Sequence, residues 1–123
     1  MRIAALGRTH WLYDSILEMR GAGHEIVLIG TATAAPEYVA SEEDFSALAR
    51  EIGCDFLVAK SLDTDHALDR LHAAKADVAI SVNWPTIIGP DARAAFRYGV
   101  LNAHAGDLPK YRGNACPNWA ILS

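Results

Sequence analysis

Nowhere in the 123 residues do about eighteen apolar residues run together, which excludes a transmembrane helix. The first apolar stretch, Ile3-Ala4-Ala5-Leu6, is too short for a secretory signal and stops at Gly7-Arg8. Cysteine is scarce: Cys54 and Cys116 stand far apart, with no CxxC or Cys/His spacing around them. Neither a disulfide scaffold nor a structural zinc site is therefore expected. Positive charge is also short. The formal net charge is −4 and the pI ≈ 5.6, which leaves no overall basic field to hold a nucleic-acid backbone. Together these absences predict a reduced, cytoplasmic protein with no membrane partner. What is present is 51% hydrophobic and 21% charged, too apolar for disorder and of a length suited to one globular domain over residues 1–123.

Short apolar runs alternate with helix-period segments. Arg2 to Gly7 reads as a buried strand, followed by a helix whose stripe is Leu12, Ile16 and Met19 and which stops near Gly21-Ala22-Gly23. Glu25 to Gly30 is a second strand, rich in β-branched residues. A long connection from Ala32 to Ala40, broken by Pro36, leads to Ser41-Glu42-Glu43-Asp44, which has the form of a capping box. Phe45, Leu48, Ala49 and Ile52 make the next stripe and Gly53 ends it. Asp55 to Ala59 is a third strand, and Thr64 to Lys75 a helix buried through Leu68, Leu71 and Ala74. Asp77 to Val82 is the fourth strand. A short helix opens at Pro90-Asp91 and ends near Tyr98-Gly99, and Gly99 to Ala103 is the fifth strand. Strands alternating with helices predict an α/β, doubly wound, mainly parallel sheet of about five strands, with helices on both faces. In such sheets ligands sit beyond the carboxyl ends of the strands.

The first strand–helix turn, Leu6-Gly7-Arg8-Thr9-His10-Trp11, lacks the GxGxxG of a dinucleotide site, and the second strand ends in Thr31 rather than an acid. A nicotinamide cofactor is disfavoured. Arg8 and Thr9 are candidates for substrate binding, with Arg8 meeting an anionic group; the alternative is a solvated Arg and a Thr that caps the helix. After the fourth strand, Trp84, Pro85, Thr86, Ile87 and Ile88 form a stiff, partly apolar loop whose unpaired backbone groups suit the edge of a flat heterocycle. As structure alone, Trp84 and the two isoleucines would plug the sheet end. His24, His66 and His72 have no metal spacing with a carboxylate, His10 has no evident partner, and Cys116 reads as a packing residue.

The most informative segment runs from Asn102 to Gly113. Asn102 and His104 are i and i+2 at the end of the fifth strand, so their side chains point the same way, roughly 6.6 Å apart along the chain. An Asn offers an amide N–H to an oxyanion, and a His moves a proton near neutrality. An Asn that pins a turn and a His bonded to backbone would read identically over three residues. The longer run Asn-Ala-His-Ala-Gly-Asp-Leu-Pro-Lys-Tyr-Arg-Gly, followed by Ala120-Ile121, resembles the signature N-x-H-x-S-x-L-P-x-x-R-G of the N10-formyltetrahydrofolate-dependent formyltransferases. The order of elements upstream is similar too.

That resemblance implies a Rossmann-like domain. It further implies transfer of a formyl group from N10-formyltetrahydrofolate to a primary amine. Asn102 and His104 would be catalytic: Asn102 would polarise the formyl group and His104 would assist proton movement. Trp84, Pro85, Thr86, Ile87 and Ile88 would line the pterin pocket. Lys110 and Arg112 would meet a phosphate or nucleotide-sugar, with a structural Arg112 as an equal competitor. An amino sugar is expected as acceptor over an initiator tRNA, because the chain is acidic; oligomeric state stays open. Gly106 and Asp107 replace the family's usual Ser and Leu. A third catalytic group, an Asp, is implied beyond Ser123, and an apolar helix starting at Asn114 and ending uncapped at Ile121-Leu122-Ser123 reads as an N-terminal piece. The alternative is a catalytically incomplete folate- or nucleotide-binding module.

Overall fold

A computed structural model describes residues 1–33 and 39–103. His104, Lys110, Arg112, Cys116, the connection around Pro36 and the helix start at Asn114 lie outside the described residues. The elements run β1 (Arg2–Gly7), α1 (Thr9–Gly21), β2 (Glu25–Thr31), α2 (Glu42–Ile52), β3 (Asp55–Val58), α3 (Asp65–Ala74), β4 (Val78–Val82), α4 (Pro90–Ala94) and β5 (Val100–Ala103). All pairings are parallel, and the strand order is β3-β2-β1-β4-β5. This is the doubly wound parallel α/β sheet that the alternation predicted, and it is Rossmann-like, as the family resemblance implied.

Strand alternation splits the core between two faces. Ile3 and Ala5 of β1, Ile26 and Ile29 of β2, and Val78 and Val82 of β4 pack with Leu12 and Ile16 of α1 and Phe45 and Leu48 of α2. The intervening residues Ala4, Leu6, Leu28, Leu57 and Ala79 face the other way. There they meet Ala67 and Leu71 of α3, Ala92 of α4, and Leu62 and Phe96. Each fully buried Leu or Ile contributes about 2 kcal/mol relative to exposure. Central strands buried on both faces must be apolar throughout, which is why β1 reads as a continuous run.

Local signals in the sequence set the element ends. The Ser41 backbone N–H donates to the Asp44 carboxylate at 2.8 Å, half of the capping box that starts α2. Gly53 closes α2 in the left-handed conformation, at φ 82°. The Thr64 hydroxyl accepts from the Ala67 N–H at 3.2 Å and caps α3.

Three expectations are corrected. Thr9 is not a cap: the N-cap of α1 is Arg8, extended and without a side-chain capping bond, and Thr9 is the first residue of the helix itself. The helix α3 buries Ala67 with Leu71 and Ala74, leaving Leu68 half-buried. The short helix α4 ends at Ala94, not near Gly99. Its continuation tightens to three-residue spacing, with Phe96 N–H on Arg93 O at 3.3 Å and Gly99 N–H on Phe96 O at 3.1 Å. That tightening turns Phe96 into the core, where it is 4% exposed. No helix among the described residues is long and apolar enough to cross a membrane.

Candidate functional site

The chain leaves β1 and β2 toward one face (α1, α2) and leaves β3 and β4 toward the other (α3, α4). Neighbouring strands β1 and β4 therefore send their connections in opposite directions, and their carboxyl ends are the switch point at which such sheets bind ligands. Gly7 sits at that point with φ 146°, and a Cβ there would overlap the Val82 carbonyl oxygen. The same carbonyl accepts the Arg8 backbone N–H at 3.0 Å, which locks the two strand ends together.

The Arg8 side chain extends this clasp. Its Nε donates to Asn83 O and its Nη1 to Thr33 O, each at 3.4 Å, so half-buried Arg8 links the ends of β1, β2 and β4. Next to it Thr9 holds φ 76°, a left-handed value that a β-branched side chain rarely adopts. Thr9 is buried, and its Oγ1 has no hydrogen-bond partner. A strained backbone and an orphaned hydroxyl thus coincide at the opening of α1.

The loop after β4 divides into an inner and an outer part. Trp84 and Ile88 pack on the α3/α4 core, as the plug reading expects. Pro85, Thr86 and Ile87 are exposed, Ile87 at 86%. The Trp84 indole N–H donates to Thr86 Oγ1 at 3.0 Å, and that hydroxyl donates to Lys60 O at 3.2 Å, which fastens the loop to the end of β3. Arg93 holds the far end by donating to Ile88 O at 2.6 Å. An apolar inner wall and a fixed outer backbone are what a flat, hydrogen-bonding ring requires.

Asn102 lies one strand further along, near the end of β5, with its side chain exposed. It is in register with Ser81 of β4, which is in turn in register with Leu6 of β1. Arg8, Thr9, the Trp84–Ile88 loop and Asn102 thus share one edge of the sheet. An open groove lined by Trp11, Asp14, Ser15, Glu18, Met19 and Ile80 runs beside α1, and none of the candidate residues lines it.

A family model described as formyl transferase matches residues 1–123. The chain belongs to the formyl transferase family. It is 32% identical over 127 residues to the methionyl-tRNA formyltransferase of Bradyrhizobium sp. (strain ORS 278), covering 100% of this chain and 41% of the relative. The chain thus spans about two fifths of the length of the curated relatives it matches. Among solved structures, glycinamide ribonucleotide transformylase 1 from Geobacillus kaustophilus superposes with a TM-score of 0.72 at 17% identity. That match covers 98% of this chain and 66% of the other. Phosphoribosylglycinamide formyltransferase from Bacillus halodurans gives 0.73 at 17% identity, over 99% of this chain and 65% of the other. These two likenesses concern the fold. The family assignment agrees with the resemblance carried by Asn102 to Gly113.

Two groups at this edge were not singled out from the sequence. Ser81 is buried without a partner, and Asn83 adopts φ 57° while lending its carbonyl to Arg8. A Ser inside the apolar run Val78-Ala79-Ile80-Ser81-Val82 was the available signal for the first.

Proposed function

We propose that this chain forms the N-terminal catalytic part of an enzyme that moves a formyl group from N10-formyltetrahydrofolate to a primary amine. The observation that carries this reading is the exposed carboxamide of Asn102 at the strand-end edge, in a chain whose whole length matches the family. The folate, when bound, supplies a formyl group on a nitrogen that can leave. The strand-end edge suits such a ring: Trp84 and Ile88 offer an apolar wall, and exposed Pro85, Thr86 and Ile87 offer backbone groups. Asn102 presents its amide N–H to the formyl oxygen as negative charge develops there, a role whose loss typically costs about 100-fold or more. His104 takes the proton from the attacking amine and returns one to the departing nitrogen. Arg8, Thr9, Lys110 and Arg112 are the residues we assign to the acceptor.

The acceptor is a primary amine. A preference for an amino sugar over an initiator tRNA rests on the acidic composition alone, and the relatives' name, methionyl-tRNA formyltransferase, does not support it. We place the protein in the cytoplasm, where formylated folate would be available to it.

The test joins calorimetry with a folate analogue to a transfer assay using N10-formyltetrahydrofolate and a panel of amines, including an amino sugar nucleotide and a charged initiator tRNA. Folate binding with formyl transfer to one amine is the expected result. Binding without transfer would reduce this chain to a folate-binding module, and absence of folate binding would overturn the reading.

A further inference from the structure

The Ser81 hydroxyl has no role in the scheme above, yet its position is costly. It is 1% exposed near the carboxyl end of β4, and its Oγ has no hydrogen-bond partner. A buried hydroxyl left unpaired is destabilising relative to the alanine that would replace it. On the same face, two residues earlier, β4 carries Ala79. Some compensating interaction should justify a serine here.

The register narrows the choice of partner. Ser81 is level with Leu6 on one side and Asn102 on the other. Val100 packs on the α3/α4 core with Ala79, so Asn102 and Ser81, each two residues on, project from that same face. Adjacent strands lie about 4.8 Å apart, close enough for a serine hydroxyl and an asparagine carboxamide to bond directly. Of its two register partners, only Asn102 can bond a hydroxyl.

An asparagine carboxamide has nearly the same shape in its two flipped orientations, and only one of them points N–H at an oxyanion. The other points a carbonyl oxygen there and repels it. A donor that engages Oδ1 selects the productive orientation.

We propose that Ser81 is a positioning residue: its hydroxyl donates to Asn102 Oδ1 and holds the Asn102 Nδ2 protons toward the formyl oxygen. The proposal rests on the catalytic reading of Asn102 given above. The two backbones are already in register, so no shift of either strand is needed to bring the two groups level.

Ser81→Ala and Ser81→Thr decide it, read by the side-chain ¹⁵N–¹H signals of Asn102, by thermal unfolding and by transfer kinetics. With the bond present, Ser81→Ala shifts the Asn102 amide signals toward those of a free carboxamide and gives no gain in Tm. It also lowers kcat about fivefold at unchanged KM, the factor one neutral hydrogen bond supplies. Ser81→Thr, which keeps the hydroxyl, restores the signals and the rate. If instead Ser81→Ala raises Tm and leaves both the Asn102 signals and kcat as they were, the hydroxyl is idle and the proposal is overturned. Should a longer form that carries the downstream Asp transfer no formyl group, the catalytic reading falls, and the Asn102 signals still decide whether the pair exists.

Discussion

Replacing Gly7 by alanine should damage this protein more than any other exchange of a glycine for alanine at an element end among the described residues. Two costs arise at once. The backbone at φ 146° lies in a region nearly closed to residues with a Cβ, worth about 1–3 kcal/mol. The new methyl would also overlap the Val82 carbonyl oxygen, a rigid backbone atom that already holds the Arg8 N–H at 3.0 Å. Forcing strands β1 and β4 apart to admit it costs about 1–3 kcal/mol more. The total is roughly 4 kcal/mol against a net stability of about 6–18 kcal/mol for a domain of this size. Gly21, the last residue of α1, is the control: no atom lies within 4 Å of a Cβ there and its φ is ordinary. Gly21→Ala should stabilise by about 0.5–1 kcal/mol, by restricting the unfolded chain. Urea unfolding followed by circular dichroism gives both values. At a slope of about 2 kcal/mol per molar, Gly7→Ala should lower the midpoint by about 2 M and Gly21→Ala should raise it slightly. A Gly7→Ala midpoint within about 0.5 M of the parent would refute the close approach of β1 to β4.

Other consequences are open to measurement. Thr9→Gly relieves the left-handed strain and removes an orphaned hydroxyl, at the cost of a methyl group and some chain entropy; a net gain of about 1 kcal/mol is expected in the same unfolding assay. Asn102→Ala, at an exposed edge position, should leave Tm near the parent value while reducing formyl transfer by about 100-fold or more, and His104→Ala should do the same to the rate. Near-normal rates in both would remove the assigned roles. Burial pushes the Cys54 thiol above its ordinary value, with a smaller push from Asp55. Because the folded form holds this proton more tightly, its contribution to stability is present below the ordinary thiol range and is lost as pH rises above it. Alkylation of the Cys54 peptide, followed by mass spectrometry, should therefore run slower at pH 8 in the folded chain than in urea.

Much of this architecture could be read from residue patterns, because the deciding interactions are local. Ser41 and Asp44 announce a capping box three residues apart, and Gly53 ends the helix it begins. Phe45, Leu48 and Ala49 recur at helical spacing and are buried together. The misses arise where distant chain segments decide. Thr9 has good cap chemistry, but the clasp between Arg8 and Val82 fixes the turn one residue earlier and forces Thr9 into the helix. A lone Ser in the apolar run of β4 carries by itself no signal of a partner, and only the β4–β5 register brings Asn102 alongside it. The sequence of the loop from Trp84 to Ile88 fits either a plug or a ligand wall. It is divided: its two ends are packed inward and its middle is exposed.

The strand order has a consequence for synthesis on the ribosome. Of the five described strands the earliest in the chain lies at the centre of the sheet, and one of its two neighbours is made much later. Arg2 and Asp77, whose backbone and carboxylate bond at 2.9 Å at the base of β1 and β4, are 75 residues apart. At a translation rate of about 5–20 residues per second, roughly 4–15 s pass before that second neighbour emerges. During that interval one long side of Ile3-Ala4-Ala5-Leu6 has no strand to pair with, so the nascent chain carries its stickiest edge exposed until β4 arrives.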